Sequence, residues 1–453
     1  MRKGLTRYSE YAPSSIPWIG EVPRGWEVRR LKKACRKVIT GSTPADEAFD
    51  ESEEAGGIPW HTPGDFTTGD IQLAPSSKRL HRDTLTEGVV RRFPAGSTLL
   101  VGIGATLGKV AVTPHDCSGN QQINCLIPRK ETDGRYLAFL LSVLTLPLKV
   151  SANAATLGIL NQTKTGEFSI PFPPLPEQHA IVAFLDRETA KIDRLKDVRR
   201  RQIEVLREQR AAVIHHAVTQ GLDPDAPKKD SGIPWLGEVP EHWEMRRLKF
   251  LVKCNRSTLT EQTPPDFEIS YIDIGNVTSG GKVLEVQEFT FAKAPSRARR
   301  RLLPGCTIIS TVRTYLKAIS YFESPAENLI VSTGFAVLEP RAAFEPRFLY
   351  RVVSSEYFIQ TVIAESKGVG YPAINASDMV CIPVAFPSRQ EQLAILAHID
   401  RETAKIDALI GKYERELELL DEYRSSLISH VVTGKADVRG LVEIEPLCRG
   451  AEA

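Results

Sequence analysis

Apolar and charged positions alternate most regularly between Glu177 and Thr219, where neither Gly nor Pro interrupts a run rich in Ala, Leu, Glu, Gln, Lys and Arg. These are good helix formers, and the run predicts one continuous helix. About 43 residues rising 1.5 Å each give a rod of roughly 60 Å. Apolar residues recur at seven-residue steps at Leu185, Ile192, Leu206 and Val213, with Arg199 breaking the series. A second run has the same phase at Ile399, Ile406, Tyr413, Leu420 and Leu427. Ile181 with Leu195, and Ile395 with Leu409, support the neighbouring line. A helix with one apolar seam and charged faces needs a partner along its length, and its duplicate is the nearest candidate. The domain between the copies leaves room for an antiparallel coiled coil, although the sequence alone does not fix the direction.

The duplication is literal in places. DRETAKID stands at Asp186–Asp193 and again at Asp400–Asp407, an offset of 214 residues. Glu177-Gln178 matches Glu391-Gln392, and Val218-Thr219 matches Val432-Thr433. A turn-rich opening segment also recurs: IPWIGEVPRGWEVRRLK from Ile16 returns as IPWLGEVPEHWEMRRLK from Ile233. The chain is therefore two tandem copies of one plan. Trp18 with Trp26, and Trp235 with Trp243, are expected to clamp each opening segment onto a core. Base stacking is the other use for such rings. Arg29-Arg30 and Arg246-Arg247 are candidates for phosphates or a partner protein.

Between these elements the pattern shortens. Thr98–Ile103, Lys109–Thr113 and Gln122–Ile127 read as strands and Tyr136–Leu144 as a helix, within an α+β domain of about 140 residues. Its copy carries expected strands at Phe267–Ile274, Cys306–Thr311, Ala318–Phe322 and Gly334–Leu338, and a helix from Pro346 through Ile363. Asp46–Glu54 reads as an exposed acidic loop. The expected divisions are 1–170, helical 171–221, connector and second domain 222–382, helical 383–435, and a tail 436–453 that need not be ordered. The helices and openings are nearly identical while the domains differ, as in one scaffold carrying two recognition surfaces.

Composition changes this picture little. An apolar fraction of 42% with 25% charged residues is that of a soluble protein, and the most apolar stretch, Leu137–Val150, is short and interrupted by Pro147. Seven scattered Cys without a CxxC pair argue for a reducing, cytoplasmic setting and against zinc. A formal net charge of +2 requires any DNA-binding charge to be local.

Catalytic constellations fail one by one. GIGATLGK at Gly102–Lys109 has Ile103 and Val110 where a phosphate loop needs Gly and Ser or Thr, and Leu107 where a dinucleotide fingerprint needs Gly. FPPL at Phe172–Leu175 lacks the Asp or Asn of an amino-methyltransferase loop. His61, His81, His115, His215, His216 and His430 form no ligand set. Asp65, Asp70 and Lys78 have no equivalent in the second copy. We expect no catalytic residue and no metal site.

Local positive charge is present. Lys78, Arg79, Arg82, Arg91, Arg92 and Lys109 in the first domain, and Arg297, Arg299, Arg300, Arg301, Arg313 and Lys317 in the second, are candidates for phosphate contacts. Gln121, Gln122, Asn276 and Arg313 are candidates for reading base edges. The bland alternative for Arg297–Arg301 is a solvated face.

The repeated plan resembles the specificity (S) subunit of type I restriction-modification enzymes over essentially the whole chain. PLPEQ at Pro174–Gln178 followed by Ile192–Leu195, SRQEQ at Ser388–Gln392 followed by Ile406–Leu409, and the two openers Trp18–Trp26 and Trp235–Trp243 carry the likeness. Phe386-Pro387-Ser388-Arg389 departs from the usual prolines. The resemblance implies target-recognition domains at about Trp26–Ile170 and Trp243–Ile382, joined by helices Glu177–Thr219 and Glu391–Thr433 in an antiparallel coiled coil. It implies binding of a bipartite, asymmetric double-stranded DNA target whose gap the helices set; roughly 60 Å is commensurate with about 13 to 17 base pairs at 3.4 Å each. Two methyltransferase (M) subunits would bring S-adenosylmethionine and methylate adenine at N6, an adenine that must be flipped from the stack. Restriction (R) subunits would bring ATP and Mg2+. A non-catalytic protein scaffold remains the alternative, and it would show no salt-dependent duplex affinity. A fused restriction-methylation enzyme would need methyltransferase motifs that this chain lacks.

Overall fold

A computed structural model describes residues 5–16, 18–50, 57–81, 83–86, 88, 90–151, 159–368, 370 and 372–442. Part of the acidic loop, Arg82, and the tail from 443 lie outside the described residues. The chain divides into two compact units, Met1–Arg199 with Arg415–Ala453, and Arg200–Glu414. Each long helix, Leu175–Gln220 and Arg389–Val432, contributes one half to each unit.

The helix halves pair inside each unit. In the first, Asp193 meets Arg424, Lys196 meets Asp421 and Arg199 meets Glu416. In the second, Arg207 meets Glu414 and Arg210 meets Asp407. Partner numbers fall as the first helix advances, so the pairing is antiparallel in both. Arg199 breaks the apolar series because it makes a two-point ion pair, at 2.9 and 3.2 Å, with Glu416. Of the predicted seam, Leu185, Ile192, Ile399, Ile406 and Leu427 are buried, while Leu206, Val213, Tyr413 and Leu420 are half-buried. The neighbouring line departs from expectation: Ile181 and Ile395 are buried but Leu195 and Leu409 are exposed.

Each unit holds a four-stranded antiparallel sheet. Its order in the first is Cys35–Thr40, Ile123–Pro128, Thr98–Val101, Val110–Val112. In the second it is Val252–Cys254, Phe335–Pro340, Cys306–Ser310, Ile319–Phe322. The order is the same despite little identity. A second sheet in each contains one parallel pair, Ile58–His61 with Ser118–Gly119 and Glu268–Ile272 with Leu329–Ser332. Helix Gly134–Ser142, capped by the Asp133 carboxylate, buries Tyr136 through Leu141 in the first core. Its counterpart is Pro346–Val353, not the single helix through Ile363: Ser355 Oγ donates to the Val352 carbonyl at 2.5 Å and a new helix starts at Glu356. A serine that bonds a nearby carbonyl competes with the helical ladder, and here it ends one helix before the next begins.

The opening segments enter the fold as strands, Glu27–Arg30 against Ser169–Phe172 and Glu244–Arg247 against Pro383–Phe386. Trp26 and Trp243 are buried and Trp18 stacks on Phe168, but Trp235 is exposed and clamps nothing. Arg29 and Arg246 pair with Glu27 and Glu244 and lie over the rings of Phe172 and Phe386, and Arg30 pairs with Glu167, so the phosphate role expected of these arginines meets prior commitments. Residues 436–442, expected to need no order, pack on the first unit: Ala436 and Val438 are buried and Asp437 bridges Thr6.

Candidate nucleic-acid interface

The repeated Glu-Gln dipeptide at the start of each long helix positions the domains. Gln178 is fully buried; its carbonyl accepts from Asp133 N at 2.8 Å and its amide donates to Glu131 O and Pro173 O. Gln392 repeats the set on Glu345 N, Ala343 O and Pro387 O. Each glutamine therefore satisfies two backbone groups just ahead of the domain's central helix and one just ahead of its own. The preceding glutamates hold the opening segments by different means. Glu177 accepts from the Tyr8 hydroxyl at 2.6 Å, and burial together with this bond pushes that hydroxyl's pKa far up. Glu391 accepts from Trp243 Nε1 at 2.8 Å and meets His242.

On this scaffold the same loop follows the same strand in both domains. Val101 and Lys109 close the first loop, as Ser310 and Ala318 close the second. Gly104 and Gly108 take left-handed φ values of 93° and 92°. Their counterparts are Arg313 and Lys317, both at φ 52°. A left-handed conformation costs an L-residue about 1–2 kcal/mol, so an arginine and a lysine where glycines serve mark this loop as a candidate site. Arg313 and the intervening Tyr315 are exposed, and Lys317 is half-buried and paired with Glu356 at 3.2 Å. Tyr315 went unmarked in sequence, since nothing there distinguishes a loop-tip tyrosine from any other.

The structure gathers Arg91, Gln121 and Gln122 beside the strap Thr40–Thr43. Arg91 donates to Thr40 O at 3.1 Å, Gln121 bonds Thr43, and Gln122 accepts from Asn120 at 3.0 Å. Gly41 is required there, because a Cβ would lie 2.0 Å from the Gly119 carbonyl oxygen. Next to the strap Lys32, Arg36, Lys37 and Gln162 line an open groove of about 400 Å3. Lys78 is exposed beside the rings of Phe49 and Trp60. Other nominated groups are committed internally: Arg79 bonds Gly57 O, Lys109 bonds Phe66 O, and Arg92 pairs with Asp116. The Ala95 amide and Arg92 hold the Asp116 carboxyl below the usual range.

In the second domain Asn276 donates to Glu285 O, Arg299 lies over Phe291 and Arg300 meets Thr258. The run from Arg297 is neither a loop nor a plain solvated face. Ala298–Arg301 is a strand with Ala298 buried and three half-buried arginines, and Arg297 before it is exposed.

His61 ends its strand 4% exposed, with Nδ1 3.3 Å from Asp65. Burial pushes its pKa below the ordinary value of 6.5, with Asp65 opposing. The unfolded chain then takes up the proton more readily, so this contribution to stability is complete above pH 6.5 and is lost as pH falls below it. His61→Asn should flatten the decline in melting temperature between about pH 7 and 5; an unchanged slope would refute the assignment.

Comparison with known proteins fits the repeated construction. The family described as type I restriction modification DNA specificity domain matches residues 23–205 and 240–419. The type I restriction enzyme MjaIX specificity subunit of Methanocaldococcus jannaschii is 23% identical over 435 residues, covering 93% of this chain and 96% of the relative. The EcoBI specificity subunit of Escherichia coli is 23% identical over 315 residues, 67% of this chain and 66% of its own. A chain solved in work on complex assembly and conformational transition of the type I R-M system has a TM-score of 0.65 at 14% identity, covering 91% of this chain and 99% of that one. The HsdS subunit from Thermoanaerobacter tengcongensis has a TM-score of 0.51 at 14% identity, covering 91% and 98%. Matched in both of its halves, the chain belongs to the family of type I restriction-modification specificity subunits, the DNA-recognising and non-catalytic components of those systems.

Proposed function

We propose that this subunit reads a bipartite, asymmetric duplex, one half-site per domain. The observation that carries the reading is the pair of equivalent loops: one sheet order presents Gly104 and Gly108 in one domain, and Arg313, Tyr315 and Lys317 in the other. Two different readers on one scaffold require two different half-sites. Arg313 suits guanine O6 and N7 in the major groove, and Lys78 and Arg297 suit phosphates. Two methyltransferase subunits carrying S-adenosylmethionine would methylate adenine N6 at the target, and restriction subunits with ATP and Mg2+ would add cleavage.

The test is methylation mapping by single-molecule sequencing of DNA modified by the methyltransferase with and without this chain. N6-methyladenine at one split motif, only when the chain is present, is expected. An assembled and competent methyltransferase that marks no motif would refute the reading.

A further inference from the structure

Two units on one plan make a position filled in one and open in the other informative. In the first unit Arg424 is buried; it lies 3.4 Å from Asp193, bonds the Gly69 carbonyl and approaches Asp70 at 3.8 Å. The offset of 214 makes Arg210 and Asp407 the counterparts of Arg424 and Asp193, and they pair at 2.8 Å. The turn that should meet Arg210, Thr278–Lys282, contains no carboxylate. A groove of about 540 Å3 opens there instead, with Arg210, Ser279 and Gly280 in its walls.

Its opposite wall is helix Pro346–Val353. Arg135 with Asp186 in the first unit corresponds to Arg347 with Asp400 in the second, which places Arg351 at the position of Phe139. Phe139 is buried in the first core. Arg351 is half-buried, and among the described residues it has no ion pair; Asp407 and Asp400 are taken by Arg210 and Arg347. Burial lowers its pKa, and Arg210 and Arg347 lower it further, against Tyr350 and Asp400. His215 Nδ1 and Ser354 Oγ, in the same walls, are buried without hydrogen-bond partners. A desolvated cation without a counter-charge is costly, and an entering anion offsets the cost.

The remaining walls decide which anion. Arg207 and Lys317 also line the groove, but they are paired with Glu414 and with Glu356, itself a wall residue. Ala211, Ala212, Ile214, Ile319 and Ile359 offer aliphatic surface, which with the Glu356 carboxylate suits aliphatic side chains beside a single carboxylate better than a hydrated phosphodiester. We propose that this groove docks a protein segment presenting an Asp or Glu next to aliphatic side chains, with the carboxylate on Arg351. The inference rests on the specificity-subunit reading, in which the methyltransferase subunit brings the segment. The counterpart position in the first unit is closed by Arg424, Asp70 and Phe139, so one such contact forms per chain.

Arg351→Phe installs the first unit's own residue, and its melting temperature is expected at or above that of the unmodified chain. In calorimetric titration of the methyltransferase subunit into the full chain, R351F should weaken one of the two binding equivalents at least tenfold, with partial recovery in R351K. Duplex affinity of the chain alone should not change. Unaltered methyltransferase binding by R351F would overturn the proposal. Reduced duplex affinity with intact methyltransferase binding would also overturn it, by assigning Arg351 to a DNA phosphate. Failure of the unmodified chain to bind the methyltransferase would refute the proposed function itself; binding that ignores R351F refutes only the groove.

Discussion

Arg313→Gly should weaken binding of the specific duplex by about 10- to 100-fold, the worth of roughly 1–3 kcal/mol for a good arginine–base pair, without lowering the melting temperature. Most arginine substitutions confound lost contacts with lost fold. This one separates them, because Gly104 shows that glycine suits the backbone at the equivalent place in the first domain. Glycine removes the left-handed strain and adds backbone entropy to the unfolded chain, and these effects are of similar size, each about 1 kcal/mol. Arg313→Ala removes the same guanidinium but keeps the strained φ, so it should bind as weakly and melt lower. Fluorescence anisotropy with the mapped duplex and a scrambled one, at fixed salt, measures both affinities. The nonspecific affinity should fall much less than the specific one. Equal losses would make Arg313 a phosphate contact, and unchanged specific binding would remove it from the interface.

The parts of this fold that were legible in sequence are those set by local chemistry. An uninterrupted run of helix formers and an identical heptad phase fix both long helices to within two residues of their observed starts. The openings and the short strands Thr98–Val101 and Cys306–Ser310 were likewise marked by turns and β-branched residues. What was not legible depends on contacts distant in sequence. Gln178 and Gln392 stood inside a recognisable motif, but two of the three backbone partners of each lie more than 40 residues away, beside the helix they support. GIGATLGK was tested as a phosphate loop on its spacing and failed; its meaning emerged only when Arg313 and Lys317 were found in the same backbone conformation. For the interface the limit is physical. A sequence shows that Arg79, Lys109 and Asn276 can donate, but not that carbonyls of Gly57, Phe66 and Glu285 already accept from them. Arg351, whose guanidinium lies over the Tyr350 ring, escaped notice for the converse reason, since its interest lies in having no ion pair among the described residues.

Gln392→Leu should destabilise the second unit by about 3 kcal/mol, the cost expected when buried backbone groups lose their partners and water cannot replace them. Leucine nearly matches glutamine in volume, so the site stays filled while Glu345 N, Ala343 O and Pro387 O lose their bonds. Ala343 and Glu345 lead into Pro346–Val353, whose Phe348, Leu349, Val352 and Val353 are fully buried, so the loss reaches the domain core. Leu393→Ala is the control: its side chain is 49% exposed one residue along the helix, and the change should stay within about 0.5 kcal/mol. Chemical denaturation gives the totals, and hydrogen exchange locates them. Peptides spanning residues 343–349 should lose protection in Q392L, while the equivalent peptides 131–137, supported by the intact Gln178, should not. If Q392L and L393A prove equally stable, the glutamine does not anchor the domain to its helix. If protection is lost equally at both places, the two anchors belong to one cooperative structure and not to separate units.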